Sequence, residues 1–186
     1  MADLYVALLH HPVYDKNGAV VTTSVTNLDV HDIARLSRTF GVRGFYVCTP
    51  VPTLRRLVER IMRHWESGPG SVYNTTRKEA LRVVHLVGEL DDAVADVEHE
   101  TGDLPYLVAT SARSAEGRLP FPALRRRLDA PGQPVLLILG TGWGLTSEVL
   151  GRVHDVLEPI DGTGDYNHLS VRAAAAIMLD RLRGAR

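Results

Sequence analysis

Three short stretches in the second half of the chain mix small residues with hydrogen-bonding ones: TSAR at 110–113, GTGWGL at 140–145 and DGTGDYNHLS at 161–170. The middle one is the sharpest. It follows the apolar run 135–139, places glycines at 140, 142 and 144, and leads to Thr146, a residue type favoured as a helix N-cap, with Glu148 in the turn beyond. Glycine has no Cβ to hold a ligand off the backbone and adopts positive φ without strain. A strand, glycine turn and helix in series is therefore a common ligand contact in α/β proteins. A tight structural connection is the plainer reading of the same residues. The loop lacks Gly-Lys-Ser/Thr, and Leu145 stands where a GxGxxG fingerprint has its third glycine. A GxSxG elbow is absent as well. Together the three loops predict one pocket lined by backbone groups, suited to an adenosine-like ligand rather than a polyanion. His10, His11, His31 and Asp32 offer metal-ligating atoms, but their spacing matches no zinc pattern and no metal is expected.

These loops need strands and helices to hold them, and the hydrophobic pattern supplies an alternating series. Strands are expected over 4–9, 44–49, 83–87, 106–109, 135–139 and 156–160. A helix is expected after Asp29, read as its N-cap, with Val30, Ile33, Ala34 and Leu36 inward and Gly41 as its stop. A second, from Thr53, turns Leu54, Leu57, Val58, Ile61, Met62 and Trp65 inward and Arg55, Arg56, Arg60 and Arg63 outward. Further helices are expected over 77–81, 91–100 (strongly acidic), 121–128 and 169–182, with polar loops at 14–27 and 67–71. Strands separated by helices imply a mostly parallel sheet covered on both faces. The last helix is apolar nearly all round, which implies burial, in part against a second subunit.

At 186 residues with 45% hydrophobic content, the expectation is one domain over 1–186 with a substantial core. No apolar run has membrane-spanning length, and the N-terminus lacks the basic and apolar regions of a signal peptide. The single cysteine, Cys48, has no partner for an internal disulfide, which fits a reducing cytoplasm. A net charge of −1 argues against nonspecific coating of nucleic acid but leaves room for a local basic patch.

The string HHPVYDKNGAVVTTSVTNLDVHDIARLSRTFGV, followed by LVATSAR, LILGTGWGL and DYNHLSVRAAAAIMLDRL, resembles the small single-domain prokaryotic RNA methyltransferases of the SPOUT superfamily over essentially the whole chain. The resemblance implies an α/β domain with a mostly parallel sheet and a C-terminal trefoil knot, S-adenosyl-L-methionine bent into the knot's loops, and a homodimer acting on tRNA or rRNA. It assigns cofactor contact to Leu107, Ala109, Thr110, Ser111, Leu139, Gly140, Thr141, Gly142, Gly144, Leu145, Ile160, Tyr166, Asn167, His168, Leu169 and Ser170. Arg35, six residues before Gly41, falls where the related ribose 2′-O branch has an arginine used on substrate. Two departures from that branch stand out. Thr141 and Gly142 replace its usual Pro-Glu, and His168 replaces an asparagine, with Asn167 one position away.

The expected chemistry is methyl transfer to a base nitrogen or a ribose oxygen. Arg35 orients RNA through its planar fork of donors. Asp165 is the expected proton acceptor, with Asp161 and His168 as alternates, and Asn167 and Ser170 hold the final loop. Arg113, Arg118 and the arginine row of the second helix are placed to meet phosphates or solvent. A domain that binds the same cofactor without turnover, as a sensor or assembly partner, is the alternative. A nicotinamide dehydrogenase is disfavoured by the glycine pattern and its position late in the chain.

Overall fold

In the computed structural model, which describes residues 1–164 and 166–185, the chain-order elements begin β1 (Leu4–Leu9), β2 (Val13–Tyr14), β3 (Val20–Val21), α1 (Asn27–Thr39), β4 (Gly44–Cys48), α2 (Pro52–Glu66), α3 (Gly70–Tyr73) and α4 (Thr75–Leu81). They continue with β5 (Val84–Val87), α5 (Leu90–Thr101), β6 (Tyr106–Ala109), α6 (Phe121–Asp129), β7 (Val135–Gly140), α7 (Ser147–Leu150), β8 (Asp155–Val156) and α8 (Val171–Arg183). Six strands form one sheet in the order β5-β4-β1-β7-β6-β8, with every pairing parallel. β2 and β3 make a separate antiparallel hairpin inside the expected polar loop.

Strands of such a sheet are covered on both sides, which is why β1 and β4 read as unbroken apolar runs, and every residue of both is buried. One face packs against α1, α2, α4, α6 and α8 through a core that includes Leu8, Ile33, Val58, Leu81, Leu124, Leu137 and Leu179. The other is covered by α5, α7 and the hairpin, with Tyr46, Leu90, Val97, Ile138, Val149 and Val13 among its buried residues. No helix among the described residues is long and apolar enough to cross a membrane.

Several boundaries differ from expectation. Thr26, not Asp29, caps α1: its hydroxyl accepts from the Asp29 N–H at 3.1 Å and donates to the Asp29 carboxylate at 2.6 Å. Asp29 therefore lies inside the first turn, where a carboxylate also complements the helix dipole. Leu57 was expected inward on α2 but is 40% exposed, because the stripe that meets the core runs through Leu54, Val58, Ile61, Met62 and Trp65. The strand expected over 156–160 is only Asp155–Val156. Past it, Leu157 still donates to the Ala109 carbonyl at 2.8 Å, but Glu158 turns to the Leu119 carbonyl and its carboxylate accepts from Phe121 N–H at 2.6 Å. The glycine-containing stretch at 67–71 runs into the short helix α3.

Candidate cofactor site

At the carboxyl ends of β6 and β7, the chain encloses a cavity of about 790 Å³, within the range of small-molecule sites. Thr110, Ser111, Ala112 and Arg113 line it after β6, and Leu139 through Gly144 line it at the end of β7. The final loop contributes Ile160, Tyr166, Asn167, His168, Leu169 and Ser170, and α8 contributes Val171, Ala174 and Met178. The remaining wall comes from the other end of the chain: Thr23, Ser24 and Asp29.

The glycine loop is held open by that N-terminal segment. Trp143 N–H donates to the Tyr14 carbonyl and Tyr14 N–H to the Gly144 carbonyl, both at 2.9 Å. Gly142 has φ +58°, and a Cβ there would lie 2.9 Å from the Tyr14 carbonyl oxygen, so both its backbone conformation and its packing require glycine. Beneath it runs a chain of hydroxyls. Thr141 Oγ1 donates to the Leu9 carbonyl at 3.0 Å, and lies 2.5 Å from Thr23 Oγ1, which in turn lies 3.1 Å from His10 Nδ1. With the Thr141 proton committed to Leu9, the remaining bonds run from His10 Nδ1–H to Thr23 and from Thr23 to Thr141. His10 is fully buried, and burial pushes its pKa down to about 4 against the pull of Asp29. The imidazole is therefore neutral and acts as a fixed donor.

Asp29 is the one carboxylate among the described lining residues. It is nearly buried and ion-paired with Arg172 Nε at 3.2 Å, while Arg172 Nη1 donates to Asp32 at 3.0 Å. The final loop is tied to the loop after β6 by Asn167 Nδ2, which donates to the Ala112 carbonyl at 2.9 Å. Ser170 caps α8 by accepting from Ala173 N–H at 3.3 Å. At the mouth, Trp143 and Tyr166 are 57% and 80% exposed, and both rings lie near His168, with centroids 6.4 and 5.5 Å from it.

The cavity brings together Thr110, Ser111, Leu139, Gly140, Thr141, Gly142, Gly144, Ile160, Tyr166, Asn167, His168, Leu169 and Ser170. Three expected contacts lie outside its lining. Leu107 is occupied on both backbone groups by His154, each bond 3.0 Å. Ala109 is buried in the sheet with its carbonyl taken by Leu157, and Leu145 is buried under Gly140 and bridged to Val13. Arg35 is exposed on α1 and does not line the cavity. Asp165 lies outside the described residues, and Asp161 is exposed beyond the lining. Arg113 reaches the wall, and Arg118 Nη2 donates to its carbonyl at 3.2 Å. The wall formed by Thr23, Ser24 and Asp29 was not expected, although the hydroxyl-rich run VTTSVTNLD was a local signal of it.

A parallel α/β sheet with a cavity at its carboxyl edge, walled by backbone-rich loops, places a small-molecule site where α/β domains bind their ligands. Residues 3–184 match the family described as SAM-dependent RNA methyltransferase, and the chain belongs to that family. A protein named tRNA (guanine-N(1)-)-methyltransferase from Oleidesulfovibrio alaskensis is 48% identical over 182 residues, and one of the same name from Nitratidesulfovibrio vulgaris is 48% identical over 182. Each alignment takes in 98% of this chain but only 42% of the relative, so the chain spans less than half the length of either. An uncharacterised Aquifex aeolicus protein is 39% identical over 97% of this chain and 88% of its own length. Solved structures share the fold at low identity. An AdoMet-bound rRNA methyltransferase from Sinorhizobium meliloti has TM-score 0.57 and 17% identity over 97% of this chain and 56% of its own. The TrmH/SpoU tRNA modifying enzyme of A. aeolicus has TM-score 0.56 and 14% identity over 98% of this chain and 75% of its own.

Proposed function

We propose that the chain methylates a base nitrogen or a ribose oxygen of tRNA or rRNA, with S-adenosylmethionine bent into the cavity between the 110–113, 140–144 and 160–170 loops. The observation that carries this reading is the convergence of those loops on one cavity at the carboxyl ends of β6 and β7, with Asp29 and Arg113 as charged lining residues. The residues present fit the molecule. Leu139, Ile160, Ala174 and Met178 offer apolar surface for a base, while Thr110, Ser111 and the glycine backbone offer hydrogen bonds for ribose and tail. Asp29, ion-paired with Arg172, places a carboxylate on the wall that a cationic donor would face.

When bound, the cofactor supplies an activated methyl group on a sulfonium. What remains for the protein is alignment, a proximity effect worth on the order of 7–11 kcal/mol in the best cases. The Tyr14 and Thr141 bonds fix the glycine loop, and the Asn167 bond fixes the final loop against Ala112. A proton released by the acceptor passes to the 161–170 loop, where His168 is at the cavity and Asp165 and Asp161 are its neighbours in sequence. Arg35, on the exposed side of α1, acts on RNA rather than on cofactor. The relatives' name makes guanine in tRNA the first acceptor to try. Their further length can equally hold the activity so named.

A trefoil knot and a homodimer belong to the same reading. Supporting the knot, the chain leaves β8 at the rim of the sheet, passes the loops after β6 and β7, and returns as α8 against α1 and α6. Supporting the dimer, Leu28 and Leu169 are exposed at 57% and 46%, and Ala173, Ala176 and Ile177 of α8 are only half-buried. A cytoplasmic location follows from where RNA and the methyl donor meet. The test is transfer of a labelled methyl group to undermethylated RNA, followed by mapping of the modified nucleotide. Arg35→Ala is expected to lower transfer at least tenfold at subsaturating RNA with cofactor binding unchanged. Cofactor binding without any methyl transfer would reduce the chain to a sensor.

A further inference from the structure

The cavity is not the only concave surface. A groove of about 570 Å³ lies between α1, α3 and α4, lined by Arg38, Ser71, Thr75, Lys78, Arg82 and the Arg38-paired Glu79. Among the described residues, neither Lys78 nor Arg82 enters an ion pair, so the groove carries uncompensated positive charge. Two exposed side chains stand on α3, Val72 at 85% and Tyr73 at 90%. Close by, Arg77 stacks on the Trp65 ring at 4.7 Å, and His31 meets the same ring edge-on at 5.5 Å.

Charge is distributed over the sheet in a way the net value conceals. Residues 52–82 hold seven arginines and lysines against three glutamates, in a chain of net charge −1. On the opposite face, α5 holds five carboxylates and no lysine or arginine, and Arg43 and Arg152 pair with only two of them. A polyanion is therefore drawn to the α1–α2–α4 face and repelled from the α5 face.

We propose that this groove is a second RNA contact, gripping backbone phosphates at a distance from the reacting nucleotide. α1 links the two sites: Asp29 near its start lines the cavity and Arg38 in its last turn lines the groove, about 14 Å apart along the helix axis. At about 3.6 residues per turn Asp29 and Arg38 face opposite sides of α1, and Arg35 lies between them on its exposed side. One strand of RNA crossing α1 would therefore meet cavity, Arg35 and groove in turn. Phosphates pair with Arg38, Lys78 and Arg82, the hydroxyls of Ser71 and Thr75 accept or donate at the rim, and Tyr73 offers a ring on which a base stacks. The proposal rests on the methyltransferase reading only for its choice of RNA among polyanions.

The test is equilibrium binding of bulk tRNA to the full chain across a salt series, for wild type and for a Lys78→Glu, Arg82→Glu variant. Arg126→Glu, an exposed change on α6, serves as control. The double variant is expected to bind at least tenfold more weakly, with a salt slope shallower by roughly 1–2, as expected for one or two lost phosphate contacts. Calorimetry with S-adenosylmethionine should be unchanged, and the control should match wild type. Ultraviolet cross-linking of tRNA to wild type, which involves no variant, should place cross-linked peptide within residues 71–82. Unchanged affinity and slope in a folded double variant, or cross-links confined to other segments, would overturn the proposal while leaving methyl transfer intact. Competition by polyglutamate as effective as that by RNA would overturn the assignment to RNA. Groove-dependent RNA binding by a wild type that transfers no methyl group would uphold the groove and sink the enzymatic reading.

Discussion

Gly142→Ala probes the link between the N-terminal segment and the cavity. Two costs add. An alanine at φ +58° sits in the left-handed region, at about 1–2 kcal/mol. Its methyl group would then stand 2.9 Å from the Tyr14 carbonyl oxygen and 3.2 Å from Thr23 Cγ2. The first neighbour is backbone and cannot swing aside, so a further ~1–3 kcal/mol is expected from overpacking. The sum, about 2–5 kcal/mol, corresponds to a fall of roughly 4–20 °C in melting temperature for a chain of this size. The cheapest relaxation pulls Tyr14 from Trp143 N–H and shifts the loop, so affinity for S-adenosylmethionine should drop at least tenfold. Gly144→Ala has open space around it and a φ of +106°, and so carries backbone strain without the clash. Gly162→Ala has neither and should behave as wild type. Calorimetric titration and thermal melts of the three variants measure both quantities. If Gly142→Ala melts and binds cofactor as Gly162→Ala does, the buttress from Tyr14 is not what shapes the loop.

Other perturbations separate the remaining parts of the site. Asp29→Asn keeps the shape but removes the one carboxylate described on the cavity wall, so it should weaken binding of the cationic donor around tenfold while leaving the neutral thioether product little affected; equal losses for both would refute the electrostatic role. His10 has a folded pKa near 4 against 6.5 unfolded, so below pH 6.5 the unfolded chain takes up a proton that the folded chain refuses, and stability falls as pH drops. At about 1.4 kcal/mol per pH unit the loss reaches roughly 3 kcal/mol by pH 4. His10→Gln should lack that component in denaturant unfolding at pH 7 and pH 4.5, and an identical pH dependence in both proteins would exclude a buried neutral imidazole. Asn167→Ala removes the tie from the final loop to Ala112 and should cost about 0.5–1.5 kcal/mol of cofactor binding, up to about tenfold in affinity, with no comparable change in melting temperature.

The alternation of strands and helices could be read from sequence because each apolar run is local and periodic. The order in which strands pair could not, since β1 lies between β4 and β7 through contacts that no window of residues contains. The same divide runs through the site. Gly140 to Gly144 and Tyr166 to Ser170 mark themselves by composition, and they line the cavity. Thr23 and Asp29 reach it only because β1 and β7 are neighbours, which brings Thr23 to Thr141 across 118 positions. Asp29 was also disguised. As a residue preceding an apolar helix it resembled a cap, and only the geometry of Thr26 shows that role already filled. Leu107, Ala109 and Leu145 sit in segments that approach the cavity, but their side chains serve the sheet and the core beneath the loops. Sequence gives the segment more readily than the direction in which each residue points.

The position of the bound donor is the decisive measurement. A crystal structure with S-adenosylmethionine bound should show the nucleoside bent against the 110–113, 140–144 and 166–170 loops, with its sulfonium turned toward the acceptor side of the cavity and Asp29 on the wall. A nucleoside seated elsewhere on the protein, or extended across the sheet edge near β4 and β5, would contradict it.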